Sequence, residues 1–171
     1  MFFIKFMLLI VLFCTSSIIG ILISKKYSNR VQILKDLKNA LNMFEVKISF
    51  SFETIPEIFN EISKKFDGTV SKIFSNTVKY INEDDLLVGE AWEKSVESNG
   101  YNLKKEDINS IKSLGKMLGR TDIDGQVSQI QLVSTFIEKQ IVDAVESKNK
   151  NEKMYKKLGV IVGLVLVIVL I

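Results

Sequence analysis

With 171 residues, the chain has room for one modest domain once its two apolar ends are set aside. Histidine is absent and the single cysteine, Cys14, lies inside an apolar run, which excludes the usual metal ligands, an imidazole base, an exposed thiol nucleophile and an internal disulfide. The net charge of +3 conceals a middle region, 31–147, that carries 14 basic and 19 acidic residues, so the body is acidic and nucleic acid is disfavoured as a partner.

Phe6–Ile23 is an apolar run of 18 residues, just long enough to span a bilayer as a helix. A cleaved signal peptide would normally have a shorter apolar region ending in small residues, and bulky Phe13 stands before Cys14 where a lipoprotein site wants a small residue. The run therefore reads as an uncleaved anchor, segment 1–24. Lys25, Lys26 and Arg30 follow it, and this positive excess places the next segment, 25–157, in the cytoplasm.

From Tyr27 to about Ser51, Leu34, Leu37, Leu41, Phe44 and Ile48 recur at three- and four-residue steps, the stripe of a first amphipathic helix. Thr54-Ile55-Pro56-Glu57 starts a second, with Thr54 as cap, proline in the first turn and Glu57 closing a capping box. That helix is expected to end near Asp67-Gly68. A third carries Val70, Ile73, Phe74, Thr77 and Ile81 and stops at the acidic turn 82–85. A fourth spans Leu86–Ser98 with Leu87, Ala91, Trp92 and Val96 inward, and Asn102 caps a fifth bearing Ile108, Ile111, Leu114 and Leu118. Trp92 reads as a core anchor in preference to a ligand platform. No run alternates with period two, so the fold class is all-α.

The stretch Leu114–Gln126 is a corner on which the last two helices hinge. Gly119 reads as the residue that closes the fifth helix with φ > 0. Thr121 reads as the cap of the sixth, with Asp124 three residues on, and Asp122 and Asp124 set negative charge against the new helix's positive end. Gly115 and Gly119 lie four apart, where a neighbouring helix can approach closely. Arg120 projects from this corner although the turn itself does not require arginine; an ion pair with Asp122 or Asp124 is the plain account, and a partner contact the sharper one. The partner-docking candidates are Arg120, Asp122 and Gln126 at the corner, with Glu90 and Trp92 of the fourth helix.

The sixth helix carries Val127, Ile130, Val133, Ile137, Ile141 and Ala144, then turns polar and basic through Lys148, Lys150, Lys153, Lys156 and Lys157. Residues 158–171 are apolar but only 14 in number, short for a bilayer core of about 30 Å, so the segment either spans with snorkelling lysines and local thinning or dips partway in. If it spans, both termini face outward. Ser16, Gly20 and Ser24 along the first anchor, and Gly159 and Gly163 along the second, form small-xxx-small stripes that would let the two helices touch through their backbones.

The chain resembles, over its whole length, the stage III sporulation AB family of endospore-forming bacteria. The likeness lies in Lys26-Tyr27-Ser28-Asn29-Arg30, Glu90-Ala91-Trp92-Glu93, Leu114–Gln126, and Asn151-Glu152-Lys153-Met154 leading to Leu158-Gly159. The helical body is also similar to one copy of the cytoplasmic domain of type II secretion inner-membrane platform proteins. Ile55-Pro56-Glu57-Ile58-Phe59 is similar to that domain's Leu-Pro-x-Ala-Leu start, with Ile58 and Phe59 departing from Ala-Leu.

The resemblance implies a membrane component of a channel complex between mother cell and forespore, seated in the mother-cell membrane around the forespore and docking a secretion-type ATPase and other channel subunits. Platform proteins carry two such domains, so a platform here would need a homo-oligomer or other partners.

The resulting expectation is a six-helix cytoplasmic bundle flanked by an N-terminal and a C-terminal transmembrane helix, acting as a non-enzymatic scaffold with no cofactor and no metal. A catalyst would have only carboxylates, lysines and tyrosines to work with, and no Gly-rich loop ending in Lys-Ser/Thr is present to cradle phosphates. The alternative is a bitopic signalling or coiled-coil adaptor module, which would have almost no outside domain with which to sense.

Overall fold

A computed structural model describes residues 2–170. The elements in order are α1 (Phe2–Phe50), α2 (Ile55–Lys65), α3 (Gly68–Glu83), α4 (Val88–Asn99), α5 (Lys105–Lys112), a 3₁₀ turn over Ser113–Lys116, and α6 (Ile123–Leu170). No strand occurs among the described residues. The first anchor and the first bundle helix are one helix, α1, and the sixth bundle helix continues through the C-terminal apolar segment as α6. The basic residues at 25–30 and 148–157 change the polarity of the surface without breaking the backbone, because lysine and arginine are good helix formers.

Among the described residues, one helix is long and apolar enough to cross a membrane, the one spanning Phe3–Phe50. Only 12% of its most apolar window is buried, whereas the core helix of a soluble domain would be covered. The C-terminal apolar segment does not reach the same length before it meets Lys156 and Lys157, so a second spanning helix is not established by length and composition.

Two compact units divide the chain. One takes α1 up to Val31 and α6 from Asp143; the other runs from Gln32 to Val142. The second is a bundle of helical segments around an aromatic centre. Phe44 of α1, Phe59 of α2, Phe74 of α3 and Trp92 of α4 are all fully buried. Phe59 meets Phe44 edge-on at 4.9 Å between centroids and Phe74 at 5.0 Å, while Trp92 lies 5.2 Å from Phe74 and 5.5 Å from Phe59. Each such pair adds about 0.5–1.5 kcal/mol beyond the area it buries. Leu34, Leu37 and Leu41 continue this core along α1, and Ile130, Val133 and Ile137 supply it from α6.

Local chemistry sets the helix ends. The Glu57 carboxylate accepts hydrogen bonds from the Thr54 backbone N–H at 2.7 Å and the Thr54 hydroxyl at 2.8 Å, completing the expected capping box with Pro56 in the first turn. These bonds, the backbone one first, hold the Glu57 carboxyl below its usual range. Gly68, at φ +62°, makes the bend between α2 and α3.

Two boundaries differ from the sequence reading. Leu87 is 60% exposed, because α4 begins two residues later, at Val88, and leaves Leu87 at its N-cap, outside the buried stripe. The fifth helix starts after Lys104 and not at Asn102. The buried Asp107 carboxylate accepts the Lys104 N–H at 2.8 Å, satisfying a free donor from within the first turn.

Candidate functional site

The corner between α5 and α6 is built by three glycines and a glutamine. Gly119 adopts the expected left-handed conformation, φ +69°, but it does not close the fifth helix: α5 ends at Lys112 and the 3₁₀ turn at Lys116, so Gly119 lies in the turn that follows. Gly115 sits in the 3₁₀ turn against Gly89 of α4: a Cβ placed on Gly115 would lie 2.7 Å from the Gly89 carbonyl oxygen, and one on Gly89 would overlap the Gly115 carbonyl oxygen. The close approach expected at Gly115 therefore exists, and its other half is Gly89. Sequence reasoning passed over Gly89 because a lone glycine near a helix start carries no periodic signal.

Gln126 is buried and clasps the corner from inside. Its Oε1 accepts the Gly119 N–H at 3.4 Å and its Nε2 donates to the Thr121 carbonyl at 3.1 Å. This burial removes it from the surface candidates; a glutamine at an amphipathic helix start is read as polar and outward until its partners are seen. The N-cap of α6 is Asp122 and not Thr121, since the Asp122 Oδ1 accepts the Gly125 N–H at 2.9 Å and α6 starts at Ile123. The Thr121 hydroxyl faces the Met117 carbonyl at 3.5 Å.

Trp92 is fully buried as well, its Nε1–H donating to the Ile111 carbonyl at 2.8 Å. It supports the corner from beneath and presents nothing to a partner.

Two candidates face solvent together. Arg120 and Glu90 approach to 3.9 Å with side chains 56% and 55% exposed. Glu90, thirty residues away in sequence, takes the place expected for Asp122 or Asp124. Exposed apolar side chains flank these charges in sequence: Leu87 before Glu90, with Met117 and Ile123 on either side of Arg120. An exposed pair at this distance contributes about 0–1 kcal/mol to folding, so the arginine is not held there by stability.

We expect Gly119→Val to lower the bundle's stability by about 1–2 kcal/mol through the left-handed backbone alone, because a Cβ there would meet Val88 only at an ordinary 3.8 Å. Gly119→Asn, which tolerates that conformation, should recover most of the loss; equal destabilisation by Asn and Val in chemical denaturation would place the cost elsewhere.

The small-residue stripes lie in the other unit, and the structure brings them together. The Ser16 hydroxyl donates to the Gly159 carbonyl at 2.8 Å, and a Cβ on Gly20 would lie 2.8 Å from the Gly159 Cα. Gly163 packs on Phe13, while the Ser24 hydroxyl turns back to the Ile21 carbonyl of its own helix at 2.8 Å. Tyr27 and Tyr155 stack at 5.7 Å, and Arg30 bonds Asp143 at 2.8 Å. Among the described residues no group of three or more His, Cys, Asp or Glu could hold a metal ion. In the acidic turn between α3 and α4, Asp84 is taken by Lys94 at 2.7 Å.

Fold and corner together define a protein that is all-helical over its described residues, with an aromatic core, a glycine-shaped corner carrying an exposed arginine and, among the described residues, one helix long and apolar enough to cross a membrane. The chain matches the family model of stage III sporulation protein AB over residues 5–171 and belongs to that family. It is 30% identical to stage III sporulation protein AB of Bacillus subtilis (strain 168) over 153 residues, covering 88% of this chain and 90% of that protein. It is also similar to a solved structure of stage III sporulation protein AB, with a TM-score of 0.66 and 25% identity, covering 71% of this chain and 97% of that one. The family is one of sporulation proteins and is not a known enzyme family.

Proposed function

We propose that this chain is a non-enzymatic assembly component of a secretion-like channel complex between mother cell and forespore. Its helical bundle docks a cytoplasmic ATPase of the secretion type and other channel subunits, and both apolar ends hold it in the mother-cell membrane around the forespore. The observation that carries the docking part is the exposed Arg120 on a corner whose backbone is fixed by Gly119, Gln126 and the Gly89–Gly115 contact. A guanidinium presented on a rigid, partly apolar surface loses little freedom on binding and is a common interface hot spot. The resemblance of the α2 start to that of secretion platform domains supports the same reading.

Arg120→Ala should leave the fold and its denaturation midpoint nearly unchanged while weakening association by about 2 kcal/mol or more, near thirtyfold in Kd. Crosslinking followed by co-purification from sporulating membranes measures this. Unfolding of the variant, or undiminished recovery of every partner, would show that the corner is structural only.

The orientation has its own test. Basic residues at 25–30 and 148–157 adjoin the apolar segments in the sequence, and this positive excess supports a cytoplasmic position for residues 25–157. A cysteine replacing exposed Lys72 in a Cys14→Ser background should resist an impermeant thiol reagent in intact cells and react after lysis. Labelling before lysis would reverse the topology.

A further inference from the structure

Where α1 and α6 meet through Gly20 and Gly159, the close backbone contact leaves an open apolar groove of about 480 Å³ beside it. Thr15, Ile19 and Ile23 line it from α1, and Leu158, Val162 and Leu166 from α6. The groove ends at Ile23 and Tyr155. Lys25 and Lys26 on α1 stand within one helical turn beyond Ile23, and Lys157 on α6 stands at the same end between the lining residues Tyr155 and Leu158, all three exposed and without an ion pair among the described residues. Lys156, by contrast, is taken by Glu152 at 2.7 Å.

We propose that this groove is a binding site for an anionic phospholipid, with one acyl chain along the apolar trough and the phosphate among Lys25, Lys26 and Lys157. The inference rests on the reading that both apolar ends lie in the bilayer.

Size and charge select this occupant. A helix with its side chains is about 10–12 Å across and needs a broad face, whereas a trough of a few hundred cubic ångströms is the scale of a small-molecule site. A second copy of the chain would also bring its own Lys25, Lys26 and Lys157 to the same depth, where like charges repel. A phosphate at that depth neutralises them, and basic residues just beyond an apolar helix are how membrane proteins select anionic lipids.

The test uses the full chain in mild detergent, with phosphatidylglycerol and phosphatidylcholine offered in equal amounts and retention read by native mass spectrometry. Phosphatidylglycerol should be retained preferentially. Replacing Lys25, Lys26 and Lys157 by glutamine should cut its retention by about fivefold per lysine and leave phosphatidylcholine unaffected. Thr15→Phe with Ile19→Phe, which fills the trough, should abolish retention of both lipids with helical content unchanged. Equal retention of the two lipids, or retention surviving in the filled variant, would overturn the proposal. So would a crosslinked dimer that the filled variant dissociates, since a second helix would then be the occupant. Release of the wild-type chain from membranes by an alkaline wash would instead sink the bilayer reading, and the lipid site with it; retention there with no lipid preference would sink the lipid site alone.

Discussion

Trp92→Ala should cost about 3–5 kcal/mol, enough to unfold the bundle outright or leave it barely folded, since domains of this size are stable by only about 5–15 kcal/mol. Three losses combine. The ring's packing against Phe59 and Phe74 goes, a cavity opens where the indole was fully buried, and the Ile111 carbonyl loses its donor beneath the corner. Trp92→Phe separates the last from the first two: it keeps an aromatic ring but no N–H, and should cost about 1–3 kcal/mol. The chain has a single tryptophan, so the wild-type unfolding transition is read directly from its fluorescence, and the variants are followed by far-UV circular dichroism on the detergent-solubilised chain. A Trp92→Ala variant that unfolds with the wild-type midpoint would show the residue to be a surface group, and would return it to the list of partner contacts.

The second large effect is at Gly89. Any Cβ there overlaps the carbonyl oxygen of Gly115, and that oxygen belongs to backbone held by the 3₁₀ turn. No flexible side chain stands between to give way. α4 must move off the turn, carrying Trp92 with it, so even Gly89→Ala should cost about 3 kcal/mol or more, at or above the upper end of ordinary overpacking. Gly89→Ala should also loosen the corner and lower partner association, unlike Arg120→Ala, which lowers association alone. Comparing the two in the same denaturation and co-purification assays separates a shaped surface from a binding side chain. If Gly89→Ala proves as stable as wild type, the Gly89–Gly115 approach is not rigid and the corner is not preorganised.

Some of this protein is determined by sequence alone, and the reason is that the signals are local. The stripe Leu34, Leu37, Leu41 and Phe44 buries one helical face whatever packs on it. Thr54 and Glu57 are three residues apart and bond each other without outside help. Gly119 marks a left-handed turn residue because few other residues accept φ +69°. The apolar run at 6–23 follows from composition in the same way.

Only tertiary structure decided what depends on distant partners. Glu90 pairs with Arg120 because α4 is brought onto the corner, and Gly89 matters only through Gly115. Gln126 turns inward because two unpaired backbone groups of the corner lie within its reach, at Gly119 and Thr121; its polarity had pointed to solvent. The cap passes from Thr121 to Asp122, since both residues suit that position and the path of the chain selects between them. Lysines marked where the surface changes from apolar to basic and were silent on whether the backbone breaks there; hydrogen bonding along α1 and α6 supplied that answer. Periodicity, capping and turn chemistry are written within a few residues, whereas burial of a polar side chain, close backbone approach and ion pairing are properties of pairs that only the folded chain brings together.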